Sequence, residues 1–494
     1  MHALVTNFRL KKSTMQSLRK VSEITRLISR VSYSLSLFIF LISCSVSRQI
    51  GSWAKDDILN DTAVESAHVG ISVYDPASSK YLYNYQGNKY FVPASNTKLF
   101  SLYAGMKLLG DSLTGIFYAE VDTAVFLLPT GDPSLLHPDF ISQPVIDFLK
   151  KINKKIYVLD NNWKDQALGA GWSWDDYNDD YSAERSPLPV YGNVIRWVQE
   201  KQKQENQVAD TNLSPIVYSI PDVNWKVLFT PGNGKNFFVQ RRKDDNIFQI
   251  TESNEPHREQ NTPFVTHGLE SAIELLKDTI GKEIFITKQV PDLNKAKTTR
   301  FVAQAGAVDI TSNKKPGDSF TRLCSRPVDS VFIPMMHRSD NFFAEQTLLM
   351  VSNAKLGIMN DEQIIDTLLK NYLKGLPQKP NWADGSGLSR YNLFTPQDFV
   401  WLLDEMKDEF GMKRMKTILP TGGNGTLGNY YKQDSGYIYA KTGSLSGVIC
   451  LSGYLYTEKN HLLIFSVLVN NHNVRPGAIR RAVEKFIVRL RETY

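Results

Sequence analysis

The chain contains 494 residues, of which 42% are hydrophobic and 22% are charged, fractions that exclude a disordered, collagen-like or polytopic membrane protein. The net charge of +6 is modest, so charge gives no reason to expect nucleic acid as a partner. Three cysteines are too few and too scattered for a disulfide framework or a cysteine-rich zinc site, and their pairing is left open.

The first 43 residues are predicted to be a signal peptide of the lipoprotein type. A polar, basic segment precedes an apolar run at 31–43, which is too short to span the ~30 Å hydrocarbon core comfortably. The run ends in Leu-Ile-Ser-Cys, which resembles the bacterial lipoprotein cleavage box and makes Cys44 the predicted lipidation site. An ordinary signal peptide and an uncleaved short anchor are the alternatives.

A short helix and a hairpin are the first elements predicted for the mature chain. Residues 53–65 have the spacing of an amphipathic helix, and 68–74 and 81–85 are alternating, β-rich runs separated by a turn signal. After Pro93, an apolar stripe predicts another helix.

The middle of the chain differs in pattern from both ends. Between 118 and 310, short apolar runs alternate with polar loops, which predicts a β-rich insertion of one or two nested subdomains with one helix at 268–277. Residues 52–117 and 311–494 then form the interrupted domain, which is mixed α/β. Its C-terminal part is predicted to contain helices at 342–352, 361–373 and from Thr395, strands at 436–440, 447–456 and 462–470, and a basic helix at 476–492.

One S-x-x-K tetrapeptide stands out because it opens a predicted helix. Ser95 and Lys98 are three residues apart, so on a helix the lysine amine lies beside the serine hydroxyl. A serine needs an adjacent base to become a good nucleophile. The tetrapeptide alone is a weak signal, since a serine at a helix start followed by a surface lysine is more common.

Two further motifs change that balance. Ser339-Asp-Asn341 begins a predicted helix, and Lys441-Thr-Gly443 falls at the end of a predicted strand. S-x-x-K, S-D-N and K-T-G in this order are the motif set of the penicillin-recognising serine enzymes.

On these motifs the sequence resembles the D-alanyl-D-alanine carboxypeptidase/endopeptidase family of class C low-molecular-mass penicillin-binding proteins, the serine S13 peptidases. The resemblance covers roughly residues 52–494, and the long separation of Ser95 from Ser339 is typical of this family. It implies a penicillin-binding, β-lactamase-like transpeptidase fold in which helices flank an antiparallel sheet. It also implies cleavage beside a D-Ala carbonyl in peptidoglycan stem peptides, acylation by β-lactams, and no cofactor or metal.

The resemblance assigns catalytic roles to five residues. Ser95 attacks the carbonyl and Lys98 is the expected base of acylation. Either burial or a positive charge, which Lys441 could supply, is expected to lower the pKa of Lys98. Ser339 relays the proton to the leaving amine, and Asn341 holds both Lys98 and the substrate.

The same resemblance assigns a pocket for the substrate's terminal carboxylate and a hole for the oxyanion. The hydroxyls of Thr442 and Ser444, with Gly443 between them and the cation of Lys441 behind them, receive the carboxylate. The backbone N–H groups of Ser95 and Ser444 receive the oxyanion.

An acidic, aromatic segment at 171–181 is the last candidate. Four Asp in six residues could form a calcium loop, although an exposed acidic turn is more common. By position in the family, Asp176 and Tyr181 grip the free amine of a diamino acid, and Arg390 meets its distal carboxylate. Purely structural roles for Asp176 and Arg390 are the alternative.

Three other functions stay open. A murein-binding protein without activity would keep the fold but lose a catalytic residue, and a secreted esterase would not need the K-T-G motif. A β-lactamase would need a positioned glutamate for deacylation, which the sequence does not identify. The predicted location is the periplasm or cell envelope, with a lipid anchor in the membrane.

Overall fold

The computed structural model describes residues 47–200, 215–234, 236–289 and 320–494. The predicted signal peptide, Cys44 and the predicted boundary at 310 lie outside these residues. Within the described ranges no helix is long and apolar enough to cross a membrane.

A five-stranded antiparallel sheet forms the centre of the molecule. Two of its strands are almost entirely buried, which explains why they read as continuous apolar runs in the sequence. In spatial order the strands are β14 (Ile438–Leu445), β15 (Val448–Tyr456), β16 (Leu462–Asn470), β1 (His68–Asp75) and β2 (Lys80–Tyr85).

Helices cover both faces of this sheet, and alternate residues of β15 show how. Ile449 and Leu451 belong to the apolar cluster on one face, whereas Val448 and Cys450 belong to the cluster on the other. The first face packs against α9 (Pro476–Thr493) and the N-terminal helix α1, which covers 47–54 and ends in a π-helical turn at Lys55–Leu59.

The second face packs against five of the described helices. These are α2 (Lys98–Leu108), α5 (Asp329–His337), α6 (Asn341–Leu356), α7 (Asp361–Asn371) and α8 (Pro396–Ile418). Of these, α2 and α6 carry motif residues. Burying one large apolar side chain contributes ~1.5–3 kcal/mol, so this cluster fixes the helix ends that bear the motifs.

Within the described residues, a second region contains three further sheets, one of five strands and two of three strands, around its own apolar cluster. The largest is mixed, with the order β12-β5-β4-β3-β13. Its strands are β3 (Ser112–Glu120), β4 (Ala124–Pro129), β5 (Lys155–Leu159), β12 (Ile284–Thr287) and β13 (Thr321–Pro327). The other two are β11-β6-β7 and β8-β10-β9, formed by β6 (Val194–Glu200), β7 (Ile216–Ile220), β8 (Val227–Gly234), β9 (Phe238–Arg241), β10 (Phe248–Ser253) and β11 (His257–Pro263). Helices α3 (Pro144–Lys151) and α4 (Glu270–Ile280) pack on them.

The structure confirms the mixed α/β class and the antiparallel sheet flanked by helices. It differs from the predicted elements in several places, one of which is helix α5, which was not predicted. Helix α3 was not predicted, because eight residues are only two turns and give too short a stripe to recognise. Strand β3 runs through the predicted boundary at 118, since it pairs with β13 from the far side of the predicted insertion.

Candidate active site

Ser95 and Lys98 lie at the junction between a 3-10 turn, Ala94–Thr97, and helix α2. Lys98 Nζ is 2.9 Å from Ser95 Oγ. Ala94, with a φ of +47°, is in the left-handed region that non-glycine residues rarely adopt. A strained residue persists only where its surroundings impose it, so the turn that presents Ser95 is held in place by its neighbours.

The Lys98 side chain is completely buried and makes two further hydrogen bonds. Its ammonium donates to Asn341 Oδ1 at 2.6 Å and to the Ser386 carbonyl at 2.8 Å. Burial lowers the pKa of Lys98 to about 8, although the nearby carboxylates of Asp384 and Glu345 oppose this shift. A lysine with that pKa can accept a proton from the adjacent hydroxyl near neutral pH.

The S-D-N motif forms the start of helix α6. The Asp340 carboxylate accepts the backbone N–H of Phe343, so the central residue of the motif is the N-cap. Ser339 has a φ of +60°, which turns the chain just before the helix. Asn341 then contacts Lys98 through its oxygen and donates from its amide nitrogen to the Tyr181 carbonyl at 2.9 Å.

Lys441 is buried on the edge strand β14 of the central sheet. Its ammonium donates to Ser339 Oγ at 2.8 Å and to the Thr442 carbonyl at 2.7 Å. Burial, and then the neighbouring Lys98, depress its pKa well below the ordinary value. Of the two predicted causes of the lowered pKa of Lys98, burial therefore accounts for the shift, and a charge on Lys441 is not among the interactions acting on Lys98.

Strand β14 passes very close to the turn that carries Ser95, and Gly443 is the point of contact. A Cβ at Gly443 would lie 2.6 Å from the Pro93 carbonyl oxygen, a distance that real side chains do not tolerate. The glycine of the motif is thus required by this approach. It leaves Thr442 half-buried and Ser444 exposed beside the serine turn.

A loop between α7 and α8 supports the Ser95 turn from the other side. The buried Asp384 carboxylate accepts the backbone N–H groups of Gly387 and Ser389, and the indole N–H of Trp172 at 3.0 Å. Gly387 has a φ of +85°, and a Cβ there would lie 1.9 Å from the Ala94 carbonyl oxygen. The loop therefore presses directly on the strained residue next to Ser95.

Glu345 connects this loop to a buried ion cluster. One carboxylate oxygen accepts the Ser386 N–H at 2.7 Å, and the other lies 3.5 Å from Arg185, which also pairs with Asp165 and Asp361. Burial, and then Asp384, raise the pKa of Glu345 to about 7. Glu345 thus positions Ser386, whose carbonyl accepts a hydrogen bond from Lys98.

The acidic segment approaches the site only in part. Tyr181 contacts Asn341 through its carbonyl, while its hydroxyl contacts Asp176 and bonds to Asp179 at 3.1 Å. Burial raises the pKa of the half-buried Asp176. Arg390 is exposed and donates to the Ser446 carbonyl at 2.8 Å, with no ion pair to Asp176 among the described residues.

Some supporting residues were not predicted as site residues. Glu345 lies four residues after Asn341, so helix spacing could have placed it on the same face. Arg185, Ser386 and Arg480 gave no such signal, since their positions depend on contacts between distant segments. Arg480 of α9 donates to Ser444 Oγ at 2.8 Å.

The described parts of the chain contain no group of three His, Cys, Asp or Glu side chains that could hold a metal ion. Cys324 and Cys450, whose pairing the sequence leaves open, are both free thiols. The chemistry that the described site residues offer is that of a serine hydroxyl beside a buried lysine.

Comparison with known proteins identifies the family. Residues 54–490 match the model of the D-Ala-D-Ala carboxypeptidase 3 (S13) family. A D-alanyl-D-alanine carboxypeptidase from Actinomadura sp. (strain R39) is 25% identical over 467 residues, which cover 87% of this chain and 82% of that protein. The D-alanyl-D-alanine carboxypeptidase DacB of Haemophilus influenzae is 23% identical and covers 90% and 93%.

Solved structures agree on the fold. The crystal structure of penicillin binding protein 4 (dacB) from Haemophilus influenzae matches with a TM-score of 0.65 at 19% identity, covering 89% of this chain and 98% of that chain. Since the family model spans most of the sequence, the chain belongs to the D-Ala-D-Ala carboxypeptidase 3 (S13) family. The predicted membership and the predicted enzyme class are confirmed.

Proposed function

We propose that the protein is a serine D-Ala-D-Ala carboxypeptidase, a D-alanyl-D-alanine endopeptidase or both, acting on peptidoglycan stem peptides through an acyl-enzyme on Ser95. The observation that carries this proposal is the pair of Lys98 Nζ and Ser95 Oγ, 2.9 Å apart, with the lysine fully buried. A neutral lysine in that position is the base that a serine nucleophile needs.

In the proposed acylation, Ser95 Oγ attacks the carbonyl of the penultimate D-Ala while Lys98 takes its proton. The backbone N–H groups of Ser95 and Ser444 receive the oxyanion, an interaction of the kind worth ~3–4 kcal/mol in related enzymes. The scissile C–N bond then breaks, and water hydrolyses the ester to release the peptide.

The leaving amine needs a proton, and Ser339 is the proposed donor. Its hydroxyl accepts a hydrogen bond from Lys441, so a proton that Ser339 gives up can be replaced by the lysine. Asn341 fixes Lys98 and offers its amide to the substrate. Thr442 and Ser444, on either side of Gly443, are the proposed contacts for the terminal carboxylate.

Substrate selection is proposed to involve the acidic segment. Asp176 and Tyr181 would bind the free amine of the diamino acid, and Arg390 its distal carboxylate. The contact between Tyr181 and Asn341 supports this placement, because it brings the segment to the site. Arg390 would have to exchange its bond to the Ser446 carbonyl for the substrate.

β-Lactams resemble the D-Ala-D-Ala terminus, and we propose that they acylate Ser95. In support, one crystal structure with the same fold, at 16% identity and a TM-score of 0.61, is that of the Haemophilus influenzae protein complexed with a β-lactam. The proposed location is the cell envelope, with Cys44 as the lipid anchor.

Labelling with a fluorescent penicillin tests the nucleophile. Wild type should label and Ser95→Ala should not, while both should melt at similar temperatures because the replaced hydroxyl lies in a polar turn. Ser52→Ala is the matched control, since Ser52 is also the first residue of an S-x-x-K tetrapeptide but is exposed on α1. Labelling of Ser95→Ala would show that another serine is the nucleophile.

Product analysis separates the two activities. Wild type is incubated with a pentapeptide monomer and with a cross-linked dimer, and products are read by mass. Release of D-Ala from the monomer identifies a carboxypeptidase, and conversion of dimer to monomer identifies an endopeptidase. Turnover of neither by a protein that labels with penicillin would leave only penicillin binding.

A further inference from the structure

A single arginine of the C-terminal helix lies at the end of the K-T-G strand. Arg480 donates to Ser444 Oγ at 2.8 Å, one residue beyond Gly443. We propose that Arg480 is a substrate-binding residue that receives the terminal carboxylate of the peptide or β-lactam. This inference rests on the proposed function, and it adds a residue from outside the three motifs to the carboxylate pocket.

The guanidinium of Arg480 has unused hydrogen-bonding capacity. It carries five N–H donors, and the bond to Ser444 uses one. Among the residues that the structure describes, no carboxylate forms an ion pair with Arg480, although the side chain is half-buried. A partly desolvated cation bound only to a hydroxyl is a good partner for an incoming anion.

The other arginines further along the same helix show what a structural role looks like here. Arg481 pairs with Glu484, Arg489 with Asp57 and Arg491 with Asp434. Each of these side chains holds the helix to itself or to the domain. Arg480 instead points to the site, which is the feature that separates it from its neighbours.

The contacts of Lys441 also favour a different cation as the partner of the carboxylate. Burial depresses the pKa of Lys441 well below its ordinary value, and its ammonium already donates to Ser339 and to its own strand. Because two of the three donors of Lys441 are committed to Ser339 and Thr442, this lysine has little left to offer a carboxylate. Arginine stays protonated under all working conditions, and its planar fork matches a carboxylate.

The position is accessible to a ligand. Ser444 is exposed, and its backbone neighbour Gly443 lies against the Ser95 turn, so a substrate reaching Ser95 passes the Ser444 hydroxyl. In the proposed complex the guanidinium keeps Ser444 as one partner and turns its remaining donors to the carboxylate.

Two substrates that differ only in the terminal group test this role. An N-acylated peptide ending in D-Ala-D-Ala is compared with the same peptide as its C-terminal amide, for wild type and for Arg480→Ala. The variant should lose about ten- to a hundredfold in kcat/KM on the acid, the usual effect of a charge-assisted hydrogen bond, and change little on the amide. Arg480→Lys keeps the positive charge but lacks the planar guanidinium, so its kcat/KM on the acid should lie between those of wild type and Arg480→Ala.

Arg481→Ala is the matched control, because it removes the same charge from the next residue of α9. It should leave the preference for acid over amide as in wild type. Equal losses on acid and amide for Arg480→Ala would show that Arg480 only supports Ser444 or α9, and would overturn the proposal. Unchanged kinetics on both substrates would overturn it as well.

This test also separates the inference from the proposed function. If wild type hydrolyses neither peptide and does not label with penicillin, the proposed function fails. If wild type hydrolyses the acid and Arg480→Ala keeps the wild-type preference for the acid, the proposed function stands and the role of Arg480 is refuted.

Discussion

The cluster around Ser95 and the acidic segment at 171–181 both belong to the predicted site, but they differ in how they are held. Lys98 is fully buried with three hydrogen-bond acceptors, whereas Tyr181 is 44% exposed and Trp174 is 70% exposed. The first group is fixed by helix ends and a buried strand. The second is a series of short turns on the surface.

This contrast indicates a division of work. The lysine amine must be positioned to within a fraction of an ångström, and water must be excluded from it for its pKa to fall. Buried secondary structure provides both conditions. A segment that reads a substrate side chain can be more exposed. The two regions still touch, through Tyr181 with Asn341 and Trp172 with Asp384.

The largest expected effect is on the buried cluster. Lys98→Ala should abolish penicillin acylation about as completely as Ser95→Ala, because residues that act as a unit are not additive. Stopped-flow acylation kinetics with a reporter penicillin would measure the loss. Lys98→Met fills the same space without the amine and should be equally inactive.

Lys107→Ala provides the matched control, since Lys107 lies on the same helix and pairs with Glu409 at the surface. It should acylate at the wild-type rate. A rate near wild type for Lys98→Ala would instead assign the base to a route through Ser339.

The residues that could be predicted from sequence are those whose chemistry fixes their spacing. Ser95 and Lys98 must be one helical turn apart, and S-D-N must begin a helix. Both motifs can therefore be recognised from their residue types and from the helical pattern that follows them. The central sheet was predicted for a similar reason: β15 and β16 are long apolar runs.

The remaining features depend on contacts between segments distant in the chain. Ser386 contacts Lys98 across 288 residues, and Arg480 contacts Ser444 from a helix whose basic residues look alike in the sequence. Which arginine faces the site is decided by the packing of α9 on the sheet. The helix period alone does not reveal it.

The exposed segment should give a smaller and more selective effect. Asp176→Ala should lower kcat/KM by about ten- to a hundredfold on a peptide with a free diamino-acid terminus, the usual effect of losing one charge-assisted hydrogen bond. It should barely change penicillin acylation, since simple penicillins have no group that reaches this segment. Both rates are measured on one preparation.

Asp175→Ala is the control, because it removes the adjacent exposed carboxylate, whose side-chain hydrogen bond within the described ranges comes from Ser173. The structure also offers a competing outcome. Asp176 contacts Tyr181, and Tyr181 contacts Asn341. If Asp176 only supports this chain of contacts, its loss should disturb the position of Asn341 and slow the reactions with both substrates equally. Equal losses would remove the side-chain pocket from the proposed function.

The smallest expected effect is a shift in pH dependence that only the buried cluster can produce. Acylation needs neutral Lys98, so its rate should rise with pH and level off above about 8, the pKa to which burial lowers that lysine.

Glu345 favours the protonated lysine by its negative charge, and its own pKa is raised to about 7, so it is ionised across most of this rise. Glu345→Gln removes that charge but keeps an oxygen for the Ser386 N–H. The pKa of Lys98 should then fall, and the rising limb of the acylation profile should move to lower pH with the same plateau rate.

Asp176→Ala should leave the midpoint in place, because that carboxylate is not among the charges acting on Lys98. A midpoint that stays fixed or moves upward in Glu345→Gln would mean that the limb reports a group other than Lys98, and the lysine would then lose its role as the base.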